Sequence, residues 1–161
     1  MKNIFYYNFP VGELGVIEEN QKITGIFFKT GKKAPGRSDG FIIGETALLK
    51  KTSAQLKEYF RGQRTAFDIP LLAEGTVFQK SVWEALQKIP YGKTCSYKDI
   101  AAAAGNVKAC RAAGMANNRN PIVIIIPCHR VIGADGSLTG YGGGLDKKRY
   151  LLELEHAVIK R

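Results

Sequence analysis

The spacing of apolar residues changes character once along the chain, and that change constrains the fold more than any other feature. Residues 3–30 hold three short β-rich runs, IFYYNF, LGVIEE and KITGIFF, separated by turn residues. Such runs read as antiparallel strands, with Asn20-Gln21 turning between the second and third. Past residue 76 the spacing is helical: Phe78, Val82, Trp83, Leu86 and Ile89 recur at intervals of three and four. Thr76 and Gln79 precede this stripe as a T-x-x-Q capping box, and Pro90-Tyr91-Gly92 ends it. A strand pattern followed by a helical one segregates sheet from helices, a mixed α/β chain of the α+β kind.

The boundary falls where neither period holds. Residues 31–44 (GKKAPGRSDGFIIG) carry the Gly, Pro and charge of a loop. A helix follows near 45–61 on Leu48, Leu49, Leu56, Tyr59 and Phe60, with Gly62 as its stop. Periodicity lapses over 65–75, where Pro70 and Gly75 mark a linker. This predicts an N-terminal α/β domain over 1–72 and a C-terminal domain over 73–161, together long enough at 161 residues to bury a core.

In the second domain Ser96 and Asp99 form another capping box, opening a helix (YKDIAAAA) that stops at Gly105. Asn106 is placed to cap a helix from 107 to about 117, so the pair reads as a helix-turn-helix. The second helix holds Ala109, Ala112, Ala113, Gly114 and Ala116. Small side chains let another backbone approach, but they also mark close helix packing, and taken alone they favour the packing reading. IVIIIP at 122–127 reads as a buried extended segment, because the Pro that ends it is foreign to a helix interior. Asp135-Gly136 and TGYGGG (139–144) are turn chemistry, and a last helix spans about 145–157. The glycine run lacks the Lys-Ser/Thr of a phosphate loop.

Charge and cysteines narrow the function. With 24 Lys+Arg against 14 Asp+Glu, the net charge of +10 favours a polyanionic partner such as nucleic acid. The start, MKNIFYYNFPVGELG, has no signal-peptide pattern and no 18-residue apolar run occurs, so a cytoplasmic protein without membrane association is expected. Cys95, Cys110 and Cys128 are odd in number and lack C-x-x-C spacing, which disfavours a disulfide scaffold or a zinc ribbon. What remains is a thiol. Cys128 precedes His129, and a histidine beside a cysteine can take its proton. Adjacency alone does not prove contact, since neighbours on an extended segment face opposite ways. Cys95 and Cys110 read as structural, and His156 as exposed.

The pair is not isolated. Ile126-Pro127-Cys128-His129-Arg130-Val131 closely resembles the active-site signature of the methylated-DNA–protein-cysteine methyltransferases. Thr94-Cys95-Ser96-Tyr97, Arg111-Ala112-Ala113-Gly114, Asn120-Pro121, Gly140-Tyr141-Gly142-Gly143-Gly144-Leu145 and Glu155 extend the match. It is dense over 76–156 and rests on size and strand order before that.

The resemblance implies a ribonuclease H-like N-terminal domain and a mostly helical, winged-helix-like C-terminal domain. It implies a single-turnover DNA-repair transferase that moves an alkyl group from O6-alkylguanine, and from O4-alkylthymine, in double-stranded DNA onto Cys128. In that reading His129 is the base, acting through a water, and Glu155 holds His129. Asn120 braces the active-site turn, and Tyr97 protonates the departing guanine. Arg111 fills the gap left by the flipped nucleotide, while Ser96, Ala109, Ala112, Ala113 and Gly114 lie along the DNA. Val131, Tyr141, Gly142 and Gly143 line the base pocket. A monomer working without metal or cofactor is implied, with Cys128 more acidic than a free cysteine at about 8.5.

Two positions depart from the pattern. Gly142 stands where many relatives carry Ser, and no early Cys or His could form the zinc site that some relatives have. Two rival readings fare worse. A DNA-binding module or non-catalytic lesion sensor would have no use for Cys128, and a Cys-His hydrolase would lack thiol-protease spacing and leave the charge unexplained.

Overall fold

In the computed structural model, which describes residues 2–29 and 40–157, two compact units follow one another, Met1–Ala73 and Glu74–Arg161. The first is a four-stranded sheet with one helix. Strands β1 (Lys2–Phe9), β2 (Gly12–Glu19) and β3 (Lys22–Phe28) form an antiparallel meander. Asn20 and Gln21 both take positive φ (52° and 63°), as a two-residue hairpin turn requires, and so pair Glu19 with Lys22. The register Phe5↔Val16 and Val16↔Ile26 gathers those side chains on one face. Helix α1 (Ala47–Phe60) packs on the sheet, where Phe60 stacks on Phe9 with ring centroids 5.2 Å apart.

Both ends of α1 are held locally. The Thr46 hydroxyl oxygen accepts from the Leu49 N–H at 3.1 Å and donates to Glu18 at 3.0 Å. At the far end Gly62, at φ 73°, lets its own N–H bond Tyr59 O while the Gln63 N–H bonds Glu58 O, which closes the last turn.

The sequence expectation for 31–44 needs one correction. Residues 31–39 lie outside the described residues, but Phe41–Ile43 is a strand, β4, running parallel to β1 at the sheet edge. The edge of β1 offers unpaired N–H and C=O groups, and a short apolar run meets them despite its loop-like flanks. Within the predicted linker, Pro70 O accepts from the Ile23 N–H and the Leu72 N–H donates to Ile23 O, fastening this stretch to β3.

The second unit is mostly helical. Helix α2 (Val77–Gln87) carries the Thr76–Gln79 capping box, and Gly75 lies so close to the Trp83 ring that a Cβ there would sit 2.5 Å from it. Val82, Trp83, Leu86 and Ile89 are buried, and the Trp83 indole N–H donates to Ala116 O at 2.9 Å. Strand β5 (Cys95–Ser96) pairs in parallel with β6 (Val131–Ile132). Helix α3 (Tyr97–Ala103) begins at the Ser96–Asp99 box, and α4 (Cys110–Asn118) and α5 (Leu145–Leu154) follow.

Three boundaries differ from expectation. Helix α4 begins at Cys110 rather than 107, because the Asn106 side chain accepts from the Lys108 N–H and caps a separate turn. Helix α5 ends at Leu154, with Glu155 as its C-cap. Residues 122–127 are a succession of tight turns, not an extended segment, with Ile124 at φ 73°. The backbone bonds itself (Ile125 N to Val123 O, Ile126 N to Ile122 O) while Ile122, Ile124 and Ile126 bury their side chains. Among the described residues no helix is long and apolar enough to cross a membrane.

Candidate active site

Asn120 shapes the turn that presents Cys128. Its carbonyl oxygen accepts from the Ile122 N–H at 3.0 Å, and its amide donates to Ile126 O at 2.7 Å, bracing both ends of the isoleucine turns. The left-handed Ile124 is costly for a β-branched residue, of order 1–3 kcal/mol, and these bonds offset it. Cys128, His129 and Arg130 then form a single 3₁₀ turn, all three buried. The expected extended geometry, with Cys128 and His129 on opposite faces, is therefore replaced by a tight turn. Asn117, buried on α4, donates to Cys128 O at 3.4 Å.

One carboxylate organises this turn. Glu155 is fully buried, and its Oε2 lies 2.7 Å from His129 Nε2. Its two oxygens also accept from Arg130 Nε at 2.8 Å and Nη2 at 3.1 Å, while Arg130 Nη1 donates to Ile89 O at 2.7 Å. Burial pushes the Glu155 carboxyl up, but hydrogen bonds from His129 and Arg130, the Arg130 charge and, in acid where the imidazole is protonated, the His129 charge outweigh it and hold it near 2. An ionised carboxylate only accepts, so His129 Nε2 carries the proton and Nδ1 is left with a free lone pair. That Nδ1 is buried and has no hydrogen-bond partner among the described residues. Burial also lowers the His129 pKa, so the ring is neutral at neutral pH and able to accept a proton.

The thiol overturns one expectation. Burial pushes Cys128 up to about 11, with the Asn120 hydrogen bond and the Lys148 charge pulling the other way. At neutral pH burial thus favours a neutral thiol beside a neutral imidazole over a preformed thiolate.

Lys148 is the residue the sequence reading missed. It is buried on α5, and its ammonium donates to Val131 O at 2.5 Å, Thr139 O at 2.7 Å and Gly140 O at 3.2 Å. Desolvation lowers it to about 8. It ties the strand after Cys128 to the 139–140 loop, and Tyr97 donates to that same Thr139 O at 3.0 Å. The signal was legible, since Lys148 shares the helical stripe of Leu151, Leu152 and Glu155. Asn117 was also missed, as was the pairing of Arg130 with Glu155, since the Cys128-His129-Arg130 run names the arginine but not its distant partner.

The other expected residues divide. Tyr97 lies beside Gly140 and Gly114: its hydroxyl is 3.7 Å, and its ring 3.5 Å, from where their Cβ atoms would be. Val131 is buried. Burial, with Cys128 and Glu155 nearby, pushes the Tyr141 phenol well up. Gly142 has open space on its Cβ side, and Gly143 is half-buried. Arg111 is exposed in the first turn of α4, and Ala112 is exposed beside it. Ala109 is half-buried at the N-cap, and the Ser96 hydroxyl oxygen caps α3 by accepting from Asp99 N–H. Ala113 must be withdrawn from the DNA-facing set: it is fully buried, as is Ala116 nearly so, and both serve helix packing. Cys95 is half-buried, Cys110 is exposed rather than structural, and His156 is exposed.

Comparison with known proteins adds an independent line. A family model described as 6-O-methylguanine DNA methyltransferase, DNA binding domain, matches residues 77–157, and its ribonuclease-like domain counterpart matches residues 4–73. The chain is similar to the methylated-DNA--protein-cysteine methyltransferase of Methanosarcina acetivorans, with 50% identity over 146 residues, 91% of this chain and 93% of that one. It also resembles the crystal structure of Mycobacterium tuberculosis O6-methylguanine methyltransferase, with TM-score 0.89 and 44% identity over 97% of this chain and 93% of that one. The structure of Mycobacterium tuberculosis OGT in complex with DNA aligns at TM-score 0.88 and 44% identity, covering 96% and 92%.

Proposed function

The chain belongs to the methylated-DNA–protein-cysteine methyltransferase family, and from that premise we propose Cys128 as the cysteine that takes the alkyl group from O6-alkylguanine in duplex DNA. It is a DNA-repair transferase and acts by direct reversal. The observation that carries the assignment is the buried Cys128-His129 turn whose imidazole is oriented by Glu155, leaving Nδ1 as a proton acceptor.

The step is a displacement at sp³ carbon. The sulfur–carbon bond forms as the carbon–O6 bond breaks, and the electron pair leaves with the guanine. The thiol proton passes to His129 Nδ1 through a water, while Tyr97 gives a proton to guanine N3; overall one proton moves from sulfur to base. Because burial raises the thiol to about 11, its deprotonation belongs to the transfer step. Solvent returns a proton to Tyr97 and takes the one held by His129, which closes the balance. The thioether product has no easy leaving group, so each molecule acts once.

Reaching O6 requires extruding the nucleotide, at a cost of about a few kcal/mol. Arg111, exposed at the start of α4, fills the vacated stack, with Ala112 and Gly114 leaving room for the groove. Val131, Tyr141, Gly142 and Gly143 form the base pocket, held in register by Lys148. The same pocket takes O4-alkylthymine, and the protein works as a monomer without added metal or cofactor.

The test is intact mass after mixing with duplex DNA carrying O6-methylguanine. One methyl per protein, mapped to Cys128, is expected. Repeated turnover, or a methyl on Cys95 or Cys110, refutes the assignment.

A further inference from the structure

Helix α4 turns Ala113, Ala116 and Asn117 inward. Its opposite face presents Arg111, Ala112, Met115 and Asn118 to solvent. At the middle of that face Met115 is 56% exposed, and Val107 before the helix is 52% exposed. A single exposed apolar residue is ordinary and needs no explanation. The setting here is not ordinary. From Gly105 to Ala134 the chain holds no Asp or Glu, while Lys108, Arg111 and Arg119 on the same stretch are exposed like the two apolar side chains. Exposed apolar side chains on a stretch that carries cations and no carboxylate of its own match a polyanion that has an apolar interior, which is a duplex groove and not an acidic protein surface.

Spacing supports the match. Met115 follows Arg111 by four residues, so it projects from the same stripe about 6 Å further along the helix. Base pairs stack about 3.4 Å apart. With Arg111 in the vacated position, Met115 falls within two base steps of it.

We propose that Met115 is a second DNA-contacting side chain, an apolar wedge set against base and sugar edges beside the gap that Arg111 fills, which favours extrusion of the damaged nucleotide. The proposal rests on the DNA-repair reading above. Minor-groove proteins unstack neighbouring steps with apolar side chains of this kind. Loss of roughly 60 Å² of buried side chain, at about 25 cal/mol per Å², corresponds to about tenfold in rate.

The experiment compares wild type with Met115→Ala, Met115→Gln and Met115→Leu. For each, the single-turnover rate of alkyl transfer is measured from O6-methylguanine in duplex DNA and from the free methylated base. The ratio of the two rates should fall about tenfold in M115A and M115Q and stay within about threefold of wild type in M115L. A ratio unchanged in M115A overturns the proposal. So does an equal fall on both substrates, which would mark a distorted helix, or full retention in M115Q, which would mark bulk and not apolar contact. Binding of polyglutamate that M115A loses while its duplex repair is intact would give the face to a protein partner, and also overturns it. A wild type that accepts no alkyl group from duplex DNA would instead defeat the functional reading itself.

Discussion

Glu155 serves two buried partners at once, and Glu155→Gln separates its structural from its chemical contribution. The carboxyl is displaced from its ordinary 4.5 to about 2. Hydrogen bonds from His129 and Arg130 and the Arg130 charge therefore favour its ionised form in the fold. Glutamine keeps one acceptor for His129 but leaves the Arg130 guanidinium, only 8% exposed, without its anion; breaking a buried pair from one side typically costs about 3–5 kcal/mol.

Glu155→Gln should thus lose about 3–4 kcal/mol at pH 7, read as a lower urea midpoint with an unchanged slope. The pH dependence has a definite sign. A carboxyl with a depressed folded pKa contributes stability that is complete above its unfolded value and is lost as pH falls through the folded one. The gap between wild type and variant should be constant from pH 6 to 8 and shrink between about 4.5 and 2. A loss below about 1 kcal/mol at pH 7, or a gap insensitive to acid, would refute the account of Glu155 as the anion of both partners.

Three further outcomes follow from the site. Without DNA, Cys128 should react with iodoacetamide at a rate that climbs through pH 10 toward its pKa near 11; a plateau below pH 8 would mean burial does not govern the thiol. Arg111→Ala should slow repair of duplex DNA at least about tenfold more than reaction with the free methylated base, since only the duplex leaves a gap; equal losses would remove Arg111 from that role. Tyr97→Phe should slow transfer from methylated DNA by about 10²-fold while the iodoacetamide rate stays near wild type, because its proton goes to the base; parallel losses would show that it acts on the sulfur.

Local chemistry was legible in the sequence wherever the deciding partners were neighbours. Asn20-Gln21 set its own hairpin, and Thr76 with Gln79 and Ser96 with Asp99 set their own helix starts, because each capping bond spans three residues. The Cys128-His129-Arg130 run, with its flanking motifs, was enough to point to the family. Tertiary structure decided whatever depended on distant partners or on water exclusion. Phe41–Ile43 became a strand only because β1 had an open edge. The isoleucines at 122–126 turned because Asn120 and the core took their polar and apolar groups separately. Ala113 went inward although its composition suited a surface for DNA. Glu155 meets His129 and Arg130 across 26 and 25 residues, and Lys148 reaches carbonyls on two segments. The acidity of Cys128 was beyond any motif, since the same Cys-His pair gives a thiolate in water-accessible surroundings and a neutral thiol when burial removes the solvent that would stabilise the charge.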